Sequence, residues 1–263
     1  MIEALVTNIR LFLLVFFRII AMVEVAPLLS STTIPQLAKI GLSLFTAVLV
    51  FPSALAARYP IPASVVDYGL LALGEVAIGL LMGFLLVLVF SAFQVAGQFF
   101  SLHMGFGASE VFDPLSQVEI PLIGEFLNLA AMLVFISISG FGKFFLVGVL
   151  GSFQSLRAID LVTGGGAIVQ ILIRGLSGLF QNALTISFPI LGTLLLVSVT
   201  MGLLAKASPQ MDVLSMGFPL SIGVSFLLLF AGLPLLMTAF ARIIDSGYET
   251  IGGLIAGLAR GAP

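Results

Sequence analysis

Charged side chains are scarce in this sequence. Of its 263 residues, 8% are charged and 60% are hydrophobic, whereas a soluble domain carries about 25% charged residues. The mean hydropathy is +1.27. A soluble fold of this size could not cover its surface with so few charges. Lipid or other apolar subunits must therefore replace water as the main surroundings of the chain.

Runs of lysine or arginine are absent as well, and the formal net charge is −2. The sequence therefore argues against nucleic-acid binding, which needs a basic footprint. Cysteine is absent, and His103 is the single histidine. These counts exclude disulfides and zinc sites built from histidine and cysteine. No cofactor is expected.

Long apolar stretches fill most of the chain instead. Each reaches or approaches the roughly 20 residues that span a bilayer core. They are continuous rather than alternating, which favours helices over the strands of a barrel. The six stretches cover residues 4–27, 40–57, 66–103, 125–153, 168–205 and 216–243.

Several stretches fit a simple bundle of lipid-coated helices poorly. As one helix, the third would extend about 57 Å, against a hydrocarbon core of about 30 Å. Prolines are expected to end helices in the first half of the chain and to break them in the last third. The first group comprises Pro27, Pro35, Pro52, Pro60 and Pro62, and the second Pro189, Pro209, Pro219 and Pro234.

Charges also fall inside the apolar stretches. At 100° per residue, Glu3, Arg10, Arg18 and Glu24 share about 120° of one helix face. Lys143 stands in the middle of the fourth stretch. A charge at a bilayer centre costs about 2.5–3.5 kcal/mol on insertion scales, so these side chains are expected to face protein or water.

The third stretch carries a carboxylate and a close-packing pattern on one face. Gly79 and Gly83 form a G-x-x-x-G pair, which lets another backbone approach closely. Two roles stay open for Glu75: a proton-relay carboxylate, or a buried contact between helices with Lys143 or Arg18. The predicted fold class is all-α, with membrane-associated helical hairpins and broken, kinked helices built to pack in a multi-subunit helical assembly.

The segment at 104–124 is the longest non-helical candidate between apolar stretches. Two interpretations stay open for its acids Glu110, Asp113 and Glu119. They line a pore mouth or bind a cation, or they belong to a solvated acidic loop without a calcium-loop pattern. A membrane serine hydrolase would need Ser139 beside His103, but no G-x-S-x-G motif is present.

The most specific local pattern is KASPQMDVLSMGFPL at residues 206–220. Ser208 and Pro209 are predicted to end one helix, and the residues from Gly217 to Pro219 to begin the next. Helix formation does not require Gln210 and Asp212 at this break. Polar groups there indicate contact with a partner or a pathway.

At this segment the chain resembles the FliR family, flagellar relatives of one export-apparatus subunit in type III secretion. Lys206 and Asp212 depart from the arginine and asparagine usual in the family, and Phe141 stands where many members have histidine. Further matches follow in order over nearly the whole chain. They are Arg18 with Pro27, Pro35 with Gly41, Glu75 with Gly79 and Gly83, Gly97 with Gln98, Asp113 with Pro114, and Ser152 with Phe153.

The resemblance implies a non-enzymatic subunit of the flagellar type III protein export gate, in the inner membrane at the flagellar basal body. The implied partners are FliP-like, FliQ-like and FlhB-like subunits, membrane lipid and unfolded proteins in export. It also implies a FliP-like front part at about 1–185 and a FliQ-like rear part at about 186–263.

Two sets of site residues follow from this resemblance. Channel-plug contacts are implied for Met104, Phe106, Val111, Phe112, Asp113, Pro114 and Leu115. Subunit-interface or buried polar positions are predicted at Arg18, Glu75, Gly79, Gly83, Gln98, Lys143, Lys206, Pro209, Gln210 and Asp212. The rival interpretation is a small secondary transporter that uses Glu75 and Lys143 as intramembrane charges.

Overall fold

The computed structural model describes residues 8–56, 61–105, 122–155, 165–208, 210 and 213–260. Within these ranges every regular element is a helix, which confirms the predicted all-α fold. The elements are α1 (Ile9–Val25), α2 (Gln36–Ala56), α3 (Val65–Met104), α4 (Leu122–Ser137), α5 (Gly140–Lys143), a π-helix (Phe144–Gly151), α6 (Ser152–Ser155), α7 (Gly165–Ala207) and α8 (Val213–Arg260).

Three of these helices are longer than a bilayer core is thick. Helix α3 has 40 residues and continues through Gly97 without a break, so it extends about 60 Å. Helices α7 and α8 have 43 and 48 residues. The expectation of a third helix that continues beyond the bilayer is consistent with this length.

Pro27 and Pro35 lie just outside α1 and α2, as expected, but four other prolines do not interrupt their helices. Pro52 lies inside α2, Pro189 inside α7, and Pro219 and Pro234 inside α8. The expectation that these four residues end or break helices is therefore wrong. A proline removes one backbone hydrogen bond, whereas ending a helix in apolar surroundings leaves several donors and acceptors unpaired. Continuing the helix costs less.

The fourth apolar stretch is broken at one point. Helix α4 and the segment Gly140–Gly151 meet at an angle of 75°, and Ser139 at the junction has the left-handed conformation with φ 57°. A broken helix was predicted for the fold, but not at this place. Lys143 consequently lies at the end of the short helix after the bend rather than in the middle of one continuous helix.

Four of the described helices are long and apolar enough to cross a membrane, or up to five if the bent pair counts as one span. Two of them, α7 and α8, are largely uncovered by the rest of the chain. Only 11% of the residues in the most apolar window of each are buried.

The chain divides into two compact units. Unit 1 comprises residues 1–89, 136–176 and 244–263, and unit 2 comprises residues 90–135 and 177–243. In unit 1, α1 packs on α2, and α2 packs on the π-helix and α6. Leu11, Leu14 and Phe51 form a buried cluster with Tyr68 and Leu71 packed against it.

Aromatic rings and two glycines organise unit 2. The ring centroids of Phe93 and Phe240 lie 4.6 Å apart, and those of Phe90 and Phe135 lie 5.5 Å apart. A Cβ atom on Gly97 would meet the backbone nitrogen of Gly124 at 2.5 Å. The backbones of α3 and α4 therefore touch at this crossing.

Candidate functional site

A buried ion pair joins α1 to α3 in unit 1. Nε of Arg18 donates to Oε2 of Glu75 at 2.5 Å, and the side chains are 1% and 0% exposed. Of the two partners considered for Glu75, the structure pairs it with Arg18. Removing one member of such a pair leaves an uncompensated buried charge, which costs about 3–5 kcal/mol.

The same arginine also reaches the segment beyond the π-helix. Its NH1 group donates to Oγ of Ser152 at 3.2 Å, and its guanidinium carbon lies 3.9 Å from the ring centroid of Phe153. Cation–π contacts of this kind stabilise desolvated arginine by about 2 kcal/mol. Arg18 therefore links three segments that are distant in sequence.

Two glycines let α1 and α3 approach closely enough for the ion pair. A Cβ on Gly79 would collide with the carbonyl oxygen of Arg18, and one on Gly83 would lie 3.0 Å from the carbonyl oxygen of Met22. The predicted close approach at the G-x-x-x-G pair is therefore present, and its partner is α1.

A second ion pair lies at the bend that precedes the π-helix. Nζ of Lys143 donates to Oδ1 of Asp245 at 2.5 Å, and both side chains are partly exposed. The hydroxyl of Tyr248 donates to the carbonyl oxygen of Gly140 at 3.0 Å in a buried position. Sequence reasoning missed Asp245 and Tyr248. The signal available was that Lys143 needs a counter-charge and that Asp245 lies two residues after the last apolar stretch.

In unit 2 the end of α3 contacts a residue of the motif at 206–220. Met104, the last residue of α3, is fully buried, and Gly105 follows it with φ +93°. A Cβ atom on Gly105 would collide with the ring of Phe218. The two segments singled out in the sequence therefore meet at Gly105 and Phe218.

The other predicted site residues fall into two groups. Gln98, Lys206 and Gln210 are exposed. The remaining plug and break positions lie outside the described residues: Phe106, Val111, Phe112, Asp113, Pro114, Leu115, Pro209 and Asp212.

The side chain considered for catalysis, His103, makes a contact within its own helix. Nδ1 of His103 lies 3.0 Å from the carbonyl oxygen of Phe99 in its own helix, as in a capping histidine. Across the described ranges, no cluster of three or more His, Cys, Asp or Glu side chains could hold a metal ion. An open groove of about 630 Å³ in unit 1 has only apolar lining residues, among them Val25, Phe84 and Leu172.

Long apolar helices, charges paired between helices and glycine-mediated backbone contacts define the class of helical membrane proteins. The sequence profile of "Bacterial export proteins, family 1" matches residues 9–247. The chain belongs to this family.

Curated relatives match along most of the chain. The flagellar biosynthetic protein FliR of Bacillus subtilis (strain 168) is 31% identical over 249 residues, which cover 93% of this chain and 94% of the relative. FliR of Buchnera aphidicola subsp. Acyrthosiphon pisum is 32% identical, with 92% of each chain covered. FliR of Escherichia coli (strain K12) is 26% identical, covering 92% of this chain and 91% of the relative.

Proposed function

We propose that this chain is a structural subunit of the flagellar type III protein export gate and forms part of its protein-conducting channel. The observation that carries the proposal is the family match over residues 9–247. Relatives named as flagellar biosynthetic proteins, aligned over more than nine tenths of this chain, support the flagellar assignment. The place of action is then the inner membrane at the flagellar basal body.

The exposed apolar surface of α7 and α8 supports a role within an assembly. Phe188 of α7 and Phe230 of α8 are 73% and 84% exposed. Apolar side chains exposed along two long helices need hydrocarbon or apolar protein against them. FliP-like, FliQ-like and FlhB-like subunits are the proposed protein neighbours, lipid covers the remainder, and unfolded export substrates pass along the channel.

A non-enzymatic role is consistent with the ion pairs that Glu75 and Lys143 form. Glu75 is bound to Arg18, and Lys143 to Asp245. The two charges that a secondary transporter would need thus belong to two separate pairs. The transporter alternative also finds no support among the flagellar relatives, so the gate is preferred.

Two finer assignments remain predictions of the family resemblance. The first is a plug formed by Met104 at the end of α3 together with Phe106, Val111, Phe112 and Leu115 in the segment that follows. The second is the division into a FliP-like front part at about 1–185 and a FliQ-like rear part at about 186–263. Its boundary falls inside α7.

Co-expression tests the proposed function. A tagged chain is produced with FliP-like and FliQ-like subunits from the same organism, and the mass of the detergent-solubilised complex is measured. The expected result is one complex of fixed stoichiometry, together with loss of filament export in cells that lack the chain. A well-behaved monomer or homodimer that ignores these partners would contradict the proposal.

A further inference from the structure

The segment Phe144–Gly151 is a π-helix of eight residues. The i→i+5 hydrogen bonds of π-helices are rare, and most examples are single turns at functional sites. An unfavourable local conformation persists where the surrounding structure selects it. The contacts around this segment show how it is selected.

Helix α8 holds the start of the π-helix. Tyr248 donates its hydroxyl to the carbonyl oxygen of Gly140 at 3.0 Å, and Asp245 accepts from Lys143, the residue before the π-helix. These two contacts lie on successive turns of α8 and fix the short helix Gly140–Lys143.

Helix α1 holds the end of the π-helix. The hydroxyl of Ser152 donates to the carbonyl oxygen of Val149 at 2.8 Å, which leaves its oxygen to accept from Arg18. Phe153, the next residue, stacks on the guanidinium of the same arginine. Arg18 is held in turn by Glu75.

A third contact lies in the middle of the segment. A Cβ on Gly148 would collide with the methyl group of Met22. A shift of one residue along the helix would present Val147 or Val149 at this position, and the flexible side chain of Met22 would then have to move. Contacts at the start and end of the segment thus favour one register, in which Gly148 faces Met22.

The alternative register has a defined consequence. A change from i→i+5 to i→i+4 bonding displaces the following residues by one position, which is a rotation of about 100°. With Lys143 fixed by Asp245, this rotation turns Ser152 and Phe153 away from Arg18. The ion pair of Arg18 with Glu75 can remain intact.

We propose that the segment 140–155 is a two-register joint of the gate. The π register is the resting state, and opening of the channel converts the segment to the α register and releases Ser152 and Phe153 from Arg18. The proposal rests on the proposed export function and adds the moving element within unit 1.

Thiol labelling tests the movement directly, because the chain contains no cysteine. Ser152→Cys places a thiol at a position with 0% exposure, and Ser187→Cys on α7 is a matched control with 0% exposure. Each variant is labelled with a maleimide in membranes that contain the whole export apparatus, with and without an export substrate arrested in the channel. The joint predicts that the arrested substrate raises labelling at position 152 about tenfold, with no change at position 187. Equal labelling at position 152 in both states would overturn the proposal.

A deletion provides a second, independent test. Leu146 is 65% exposed inside the π-helix. Deleting it removes the one residue by which the π-helix exceeds an α-helix. An ordinary α-helix then keeps both Lys143 and Ser152 at their contacts, so the segment can no longer change register. The deletion protein is expected to accumulate and to co-purify with its partners, while export falls about tenfold. Leu146→Ala, which keeps the length, should export normally.

The outcomes of this test separate the joint from the proposed function. Normal export by the deletion protein would refute the joint and leave the export function standing, provided that cells without the chain still fail to export. A deletion protein that does not accumulate would also count against the joint. It would show that removing one residue does not preserve the contacts on both sides of the π-helix. Normal export in cells that lack the chain altogether would refute the export function itself.

Discussion

The backbone of Arg18 touches Gly79, and the side chain of the same arginine binds Glu75 one turn earlier on α3. The close approach of the helices and the buried charge pair are therefore one arrangement. The glycine allows α1 to come close, and closeness brings the guanidinium to the carboxylate. The positive charge of Arg18, in the first apolar stretch, is therefore compensated by Glu75 within unit 1.

The ion pair predicts an asymmetric response to substitution. Glu75→Gln leaves Arg18 buried without a counter-charge and should lower the free energy of unfolding by about 3–5 kcal/mol. Replacing both residues, Arg18→Met with Glu75→Leu, should recover most of this loss, because neither charge remains to be compensated. Chemical denaturation of the purified complex measures the difference. Equal instability of the single and double variants would contradict this view of the pair.

The glycines of α3 predict a contrast within one helix. Gly79→Ala places a methyl group against the carbonyl oxygen of Arg18 and should separate α1 from α3, with a loss of about 1–3 kcal/mol. Gly69→Ala is the matched control, because its Cβ meets nothing within 4 Å, and better helix propensity should stabilise it by up to about 1 kcal/mol. The amount of each variant in membranes and its thermal resistance provide the comparison. Identical behaviour of the two variants would show that α1 and α3 do not touch at Gly79.

Substitution of Gly105 should lower stability for two separate reasons. Gly105→Ala forces a side chain into a left-handed conformation, at about 1–2 kcal/mol, and into the ring of Phe218. Adding Phe218→Ala should relieve the collision but not the backbone strain, so rescue in stability measurements should be partial. Gly217→Ala, whose Cβ meets nothing within 4 Å, should be tolerated. Complete rescue would mean that the backbone conformation at Gly105 contributes nothing.

The hydroxyl of Tyr248 predicts a small but position-dependent effect. Tyr248→Phe removes a buried hydrogen bond to Gly140 and should cost about 0.5–1.5 kcal/mol. Tyr68→Phe removes an exposed bond to the carbonyl oxygen of Arg10, and its effect should stay within about 0.5 kcal/mol. Melting temperatures of the two variants in the same detergent give the comparison. A larger loss for Tyr68→Phe would reverse the expected order.

Local features of the sequence were sufficient to predict the long helix α3 and the close helix contact at Gly79 and Gly83. Apolar continuity predicts α3 as one long helix, and the spacing of Gly79 and Gly83 predicts the approach of another backbone. Both depend on residues within a few turns of each other, so helix geometry alone places them.

Features that depend on distant contacts were not predictable in this way. Asp245 meets Lys143 across 102 residues, and no periodicity connects them. The π-helix, with the sequence FFLVGVLG, is flanked by contacts from α1 and α8, which its own sequence does not reveal. Pro52 and Pro189 remain inside helices because apolar surroundings penalise a helix end more than one missing bond. The prediction from sequence considered the hydrogen bond that proline removes, but not the cost of ending a helix in apolar surroundings.

The central claim is that other subunits of an export gate cover the apolar surface of α7 and α8. A photo-crosslinking amino acid at Phe230, which is 84% exposed, tests it in cells that assemble the complete apparatus. The account predicts adducts with a FliP-like, FliQ-like or FlhB-like subunit, identified by mass spectrometry and lost when that subunit is deleted. Adducts with lipid alone, here and at Phe188 of α7, would contradict it.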